Sequence, residues 1–164
     1  MKTKIVSYLL FVMMMLCVAT SDAALQMNLD YNMLDFGAMN TGESKEISIK
    51  GTHHNTLTCT STNNMTWYLK AQVVKPFSFM QYTIPEANFK WTVVSVGAGK
   101  GIVNGGVNFT FPFSRTPTLI YTSDPDDNTG TAIDISFRYS LDVPENQVAG
   151  NYNGTVRFIM IETL

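Results

Sequence analysis

The sequence predicts an all-β protein folded as an antiparallel sandwich. Apolar residues recur at every second position along many short segments, which is the pattern of strands with one buried face. Clusters of Asn, Gly, Pro, Ser and Asp separate these segments, and no long stretch shows a helical period. Many short strands joined by such turns indicate two antiparallel sheets packed against each other.

The N-terminal residues have the features of an export signal. A basic start and an apolar run at 5–18 precede Ser21-Asp22-Ala23, which has small residues three and one positions before a cleavage site. The run is short for a membrane span, and no later segment approaches one. We therefore expect residues 1–23 to be removed, leaving a single domain at 24–164 in the periplasm, at the cell surface or outside the cell.

The composition excludes some classes of partner. The whole chain has 11 basic and 13 acidic residues; the leader holds two of the basic and one of the acidic residues, so nine and twelve remain. No basic patch suits nucleic acid. Only Cys59 survives cleavage, so we expect no disulfide within the chain and a thiol buried in an ordinary strand.

The predicted strands follow one another along the mature chain. The clearest is Ile133 to Leu141, where Ile, Ile, Phe, Tyr and Leu alternate with polar residues. Shorter alternating segments predict further strands at 47–49, 57–59, 67–73 and 107–113. Turn clusters lie between them, at 40–42, 61–64, 97–106 and 123–130.

The first apolar segment of the mature chain changes face once. Its apolar residues begin on odd positions: Leu25, Met27, Leu29, Tyr31 and Met33. The next two, Leu34 and Phe36, are on even positions. In a self-contained immunoglobulin-like sandwich, this pattern belongs to a first strand that crosses between sheets. In a polymerising subunit, the odd-numbered set would be the face of a donor arm that completes a neighbour's sheet. The absence of a linker favours the crossing, but both interpretations stay open.

The last predicted strand is apolar on both faces. Phe158–Ile161 is a continuous apolar run, whereas Tyr152 and Val156 mark only one face. A doubly apolar strand suits a central position or an interface, because an exposed one would invite pairing between sheet edges. We expect the strand from Tyr152 to border an acceptor edge, with Phe158 and Met160 among its assembly residues.

Two segments resemble a known group of bacterial proteins. The stretch LDFGAMNTGESKEISI (34–49) resembles the opening of many secreted surface domains, and YSLDVPENQVAGNYNGTVRFIMIE (139–162) is similar to their closing hairpin. Both features occur together in the group of spore coat protein U and archaic chaperone-usher pilins. The resemblance implies an exported immunoglobulin-like sandwich that serves as a surface or fimbrial subunit, with self-assembly or a periplasmic chaperone as its protein partners. That group commonly carries cysteines near the first strand, which this chain lacks.

The sequence contains no catalytic motif that we recognise. It has no Gly-x-Ser-x-Gly elbow, Walker loop or His-Glu-x-x-His helix. The adjacent His53 and His54 would point to opposite sides of an extended chain. Asp124–Gly130 offers oxygens of the kind that calcium accepts, but it lacks the closing glutamate of an EF-hand loop. We expect a non-enzymatic protein without metal or cofactor, with calcium at this loop left open.

The alternative function is a self-contained binding module for protein or glycan. Exposed tyrosine and tryptophan side chains form such surfaces. The ligand face would draw on four residues: Tyr68, Tyr82, Trp91 and Tyr121. The competing interpretation places most aromatic residues in the core of the sandwich.

Overall fold

The computed structural model describes residues 25–47, 49 and 54–162. The predicted leader and His53 lie outside these residues. Eleven strands are present in the described part: β1 (Leu25–Leu29), β2 (Ser44–Glu46), β3 (Asn55–Ser61), β4 (Tyr68–Phe79), β5 (Tyr82–Thr83), β6 (Phe89–Gly97), β7 (Ile102–Val103), β8 (Thr110–Pro112), β9 (Thr118–Thr122), β10 (Ile133–Asp142) and β11 (Asn153–Ile161). Two short 3-10 helices, Glu86–Asn88 and Pro125–Asn128, lie between strands.

The strands form two antiparallel sheets, which confirms the predicted sandwich. The first sheet has the order β1-β3-β10-β6-β8, and β2 pairs with β10. The second sheet has the order β11-β4-β9-β7, and β5 pairs with β4. The immunoglobulin-like assignment stays a prediction. In the described part of the chain, no helix is both long and apolar enough to cross a membrane.

The longest alternating segment became the central strand of the first sheet. In β10 every second residue from Ile133 to Leu141 is buried, and the residues between them are exposed or half-buried. The strand pairs with β3 on one side and β6 on the other, so Ile135 lies opposite both Leu57 and Val96. The same alternation is confirmed in β4, where Leu69, Ala71 and Val73 enter the core from the second sheet.

Aromatic side chains fill much of the space between the sheets. Trp91 stacks on Phe111 with ring centroids 5.0 Å apart, and Trp67 packs against Tyr121 at 5.3 Å. Cys59 is also fully buried, as predicted, and this burial raises the pKa of its thiol to about 12 with a smaller contribution from Asp134. Burying each large apolar side chain contributes about 1.5 to 3 kcal/mol.

One predicted strand is shorter than its apolar pattern. The alternation at 107–113 predicts a full strand, but β8 covers only Thr110–Pro112, and Val107 and Phe109 are exposed. Gly105, Gly106 and Asn108 have φ values of 72°, 90° and 66°. These left-handed conformations make a turn instead of extended backbone, so the prediction is wrong for the first part of this segment.

Candidate functional site: the open edge of the sandwich

The last strand lies at the edge of the second sheet. Among the described residues β11 pairs with β4 only, so its other side has no neighbouring strand. The apolar run Phe158–Ile161 is half-buried along its whole length. The sequence predicts either a central position or an interface for this run, and in the structure it lies at the edge of the sheet. An unpaired edge presents backbone N–H and C=O groups to any strand that can align with it.

A cavity of about 530 Å³ opens beside this edge. β1 is the corresponding edge strand of the first sheet, and it contacts β11 across the sandwich. Side chains from both sheets line the cavity, and some of them pack against each other across the sandwich, as Phe77 of β4 does against Phe89 of β6 at 5.1 Å. We call this cavity the open groove. Its apolar lining includes Leu29, Leu34, Leu57, Phe89, Val156 and Phe158.

A buried amide fixes the point where the chain leaves the first sheet. Asn55 is 1% exposed, and its Nδ2 donates to the carbonyl oxygen of Tyr31 at 2.9 Å while its Oδ1 accepts from the Tyr31 amide at 3.2 Å. Asn55 also bonds to the hydroxyl of Tyr139, whose pKa is raised by burial, an effect that this hydrogen bond opposes. One side chain thus satisfies both backbone groups of Tyr31, as a neighbouring strand would.

The chain then crosses toward the second sheet beside the groove. Residues 32–36 belong to no strand, and they end at the buried Phe36. The Phe36 ring packs edge-on against Phe77 of β4 at 6.2 Å and against Phe89 of β6 at 5.9 Å. The face change at Leu34 therefore lies in a segment outside both sheets that packs against each of them, and the next strand, β2, belongs again to the first sheet. Residues Leu25–Leu29 pair with β3 of the same chain.

Most of the predicted assembly residues meet at the open groove. Five of the seven line it: Met27, Leu29, Tyr31, Met33 and Phe158. Leu25 and Met160 do not line it, although both pack against the core. Met33 is 86% exposed at the lip of the groove. The structure thus brings the proposed donor face and the proposed acceptor strand to opposite walls of one cavity within a single chain.

Asn55, Phe36 and Val156 are residues of the groove that the sequence analysis did not assign to it. The position of Asn55 in β3 predicts its orientation, because it alternates with Leu57 and Cys59 and should face the core as they do. A polar residue at a core position needs a specific partner, and here that partner is the backbone of Tyr31.

The proposed ligand face of four aromatic residues does not form. Trp91 and Tyr121 are 1% and 0% exposed, so both belong to the core and neither can touch a surface ligand. Tyr68 is half-buried at the start of β4, whereas the exposed Tyr82 belongs to β5, which pairs with the far end of β4. The prediction of a ligand face is therefore wrong, since the four side chains share no surface.

The acidic loop is closed by its own hydrogen bonds. The Asp127 carboxylate is 1% exposed and accepts from the Tyr121 hydroxyl at 2.6 Å and from the amides of Lys100, Gly101 and Asp124 at 2.9 to 3.0 Å. Burial alone would raise the pKa of Asp127, but these donors outweigh it and hold the pKa below its ordinary value. The described residues contain no cluster of three His, Cys, Asp or Glu suited to a metal.

The glycine-rich loop at 97–101 packs tightly against the residues that hold it. A Cβ at Gly99 would lie 2.6 Å from the Tyr121 hydroxyl, and one at Gly101 would overlap the carbonyl oxygen of Thr122. Lys100 extends outward, and its Nζ lies 2.6 Å from Asp126. The loop is therefore held in place by Asp127 and has a structural role. His54 is exposed, and its neighbour His53 lies outside the described residues.

We expect acid to weaken the protein partly through Asp127. Its folded-state pKa lies below the ordinary 3.8, so the unfolded chain takes up the proton first as the pH falls. The stability from this carboxylate is complete above that ordinary value and is lost as the pH drops through the folded-state pKa. Urea unfolding from about pH 6 to about pH 2.5 should show a steeper loss of stability in the wild type than in Asp127→Asn. Equal slopes would contradict this assignment.

No protein-family model matches the sequence, and no curated protein matches it either.

Proposed function

We propose that this chain is an exported, non-enzymatic structural subunit that accepts a β-strand from another protein chain along β11. The observation that supports the proposal is the combination of an unpaired nine-residue edge strand with an adjoining apolar groove. Backbone pairing would supply affinity along β11, and the groove would select a strand with apolar side chains at alternate positions. The predicted export signal supports a location of this assembly in the periplasm or at the cell surface.

The arrangement favours an incoming strand over a small ligand. The groove follows the edge strand, with Val156 and Phe158 on one wall and Leu29 and Leu34 on the other. A strand beside β11 would direct every second side chain into this space. Each apolar side chain that becomes fully buried contributes about 1.5 to 3 kcal/mol, which must exceed the cost of ordering the strand. Three or four buried apolar side chains on the incoming strand would exceed this cost and give measurable binding.

The donor that we propose is a strand of another copy of this chain. The segment 25–33 has the alternating apolar residues that the groove requires. Its first five residues pair with β3 of their own chain, so donation would require them to leave that ladder. Until a donor arrives, an exposed edge of this kind needs cover against unspecific pairing. A periplasmic chaperone that lends a strand temporarily would provide that cover.

A synthetic peptide with the sequence of residues 25–33 (LQMNLDYNM) tests strand acceptance. We expect it to bind the mature protein in a fluorescence-anisotropy titration, and a peptide with serine at the positions of Met27 and Leu29 to bind at least about tenfold more weakly. Val156→Lys should weaken binding to a similar degree because it places a charge in the groove. Arg157→Ser, on the other face of β11, is the matched control and should bind as the wild type.

Isotope-edited spectroscopy of the complex should show added β-sheet signal from the peptide. Absence of binding up to millimolar peptide, with the protein folded and monomeric, would refute strand acceptance. Equal binding by the two peptides would refute the role of the groove.

A further inference from the structure

The outward face of the second sheet is largely apolar. Residues that pair directly across a ladder share a face, and Tyr68 pairs with both Ile161 and Thr122, while Lys70 pairs with both Ile159 and Leu119. Ile102, which is 73% exposed, extends the first of these rows through Thr122. We define the cationic face by six of these outward residues: Tyr68, Lys70, Leu119, Arg157, Ile159 and Ile161.

The outward face of the first sheet has a different character. Its side chains bond to one another across the strands, as in the pair Thr58 and Asp134 at 2.6 Å. Lys90 and Asp142 form an ion pair at 2.5 Å, which holds the pKa of Asp142 below its ordinary value. Polar groups paired in this way suit contact with water. The contrast marks the second sheet as the side that suits contact with another macromolecule.

The two charges on the cationic face have the same sign. They belong to Lys70 and Arg157, and neither forms an ion pair with any residue that the structure describes. Arg157 lies beside the side-chain amide of Gln72, which carries no charge. The chain as a whole has a formal charge of −2, so a face without acidic groups departs from its average. Two copies would repel each other if they met through this same face, because like charges would face each other.

A complementary surface lies along the β1 side of the same molecule. Met27 and Met33 are exposed there, and so are Asp30 and Asp35. Neither carboxylate forms an ion pair with a described residue. Asp35 accepts a hydrogen bond from the amide of Gly37, within its own loop, at 2.7 Å. We call these four residues the acidic edge. Its apolar and acidic groups match the apolar and basic groups of the cationic face.

We propose that the cationic face of one copy of this chain binds the acidic edge of a second copy. The two surfaces differ, so the contact is heterologous, and each bound copy leaves one surface of each kind available. Such a contact joins subunits head to tail into an open row or a ring and does not form a twofold dimer. Met27 and Met33 of the acidic edge also line the open groove, whereas Asp30, Asp35, Lys70 and Arg157 lie outside its lining. The charged residues therefore separate this contact from strand acceptance.

Charge reversal with mixing tests this contact. In sedimentation equilibrium at low salt, the mature wild-type protein should self-associate. The variant Lys70→Glu/Arg157→Glu should associate at least about tenfold more weakly. Asp30→Lys/Asp35→Lys should lose association to the same degree. An equimolar mixture of the two variants should regain it, because the reversed face of one variant meets the reversed edge of the other. A mixture that stays monomeric would overturn the proposal.

The control matched in net charge is Lys100→Glu/Arg115→Glu, at exposed positions that belong to neither surface; this variant also removes two ion pairs. It should associate as the wild type, and a loss equal to that of the face variant would overturn the proposal. The groove peptide should bind the face variant and the edge variant with unchanged affinity. If the wild type does not bind the peptide but the mixed variants associate, strand acceptance alone is refuted. If the peptide binds but the mixed variants stay monomeric, this contact alone is refuted.

Discussion

A mature chain that lacks residues 24–33 is expected to be destabilised by about 3 to 5 kcal/mol in urea unfolding. The deletion removes β1 and the five-residue ladder that covers β3. It exposes Leu57 and Cys59, which are buried beneath that ladder. It also leaves both polar groups of the Asn55 side chain without the backbone of Tyr31. Loss of apolar burial contributes about 1.5 to 3 kcal/mol for each large side chain, and the unpaired amide adds about 1 to 3 kcal/mol.

The peptide of residues 25–33, added in trans, should restore stability to this truncated protein. A matched control that starts at Leu25 keeps β1 and should unfold as the full mature chain. If the truncated protein keeps the stability of the control, β1 contributes nothing to its own domain, and the segment is free to serve as a donor arm. If peptide binding by the truncated protein saturates at one equivalent, one site accepts this sequence; saturation at two would assign one to β3 and one to β11.

The alternation of apolar residues was sufficient to predict the sandwich and its central strands. In β10, and in β4 as far as Val73, the side chains lie on the faces that their positions in the alternation predict, because both strands are flanked on each side and have one face in the core. The alternation does not encode which strand lies at an edge. The doubly apolar Phe158–Ile161 looked central or interfacial, and its place beside β4 alone depends on the crossovers between the sheets.

The same limit applies to residues whose role depends on a distant partner. The face change at Leu34 predicted a departure from the first sheet, but the clamp that fixes it comes from Asn55, which lies 24 residues after Tyr31. For the acidic loop at 124–130, the sequence predicts a turn and leaves calcium binding open. The direction of the Asp127 carboxylate is set by the amides of Lys100 and Gly101, which no local pattern connects to it.

Asp127→Ala is expected to cost about 3 to 5 kcal/mol of the free energy of unfolding. The substitution removes the acceptor for the buried Tyr121 hydroxyl and for the amides of Lys100, Gly101 and Asp124. Hydrogen bonds to a charged group are worth about 1.5 to 3 kcal/mol each, and they are not additive when they share one acceptor. Buried donors left without a partner account for most of the expected loss.

Asp127→Asn should cost less than Asp127→Ala, because the amide oxygen still accepts from some of the donors while its nitrogen faces others. Asp126→Ala is the matched control: it removes the neighbouring carboxylate, which is exposed and, among the described residues, forms its ion pair with the exposed Lys100. Such surface pairs contribute about 0 to 1 kcal/mol, so this variant should unfold close to the wild type. Urea unfolding at neutral pH measures all three. A cost below about 1 kcal/mol for Asp127→Ala would mean that water replaces the carboxylate, and the loop would then be held by the packing of its glycines against Tyr121 and Thr122.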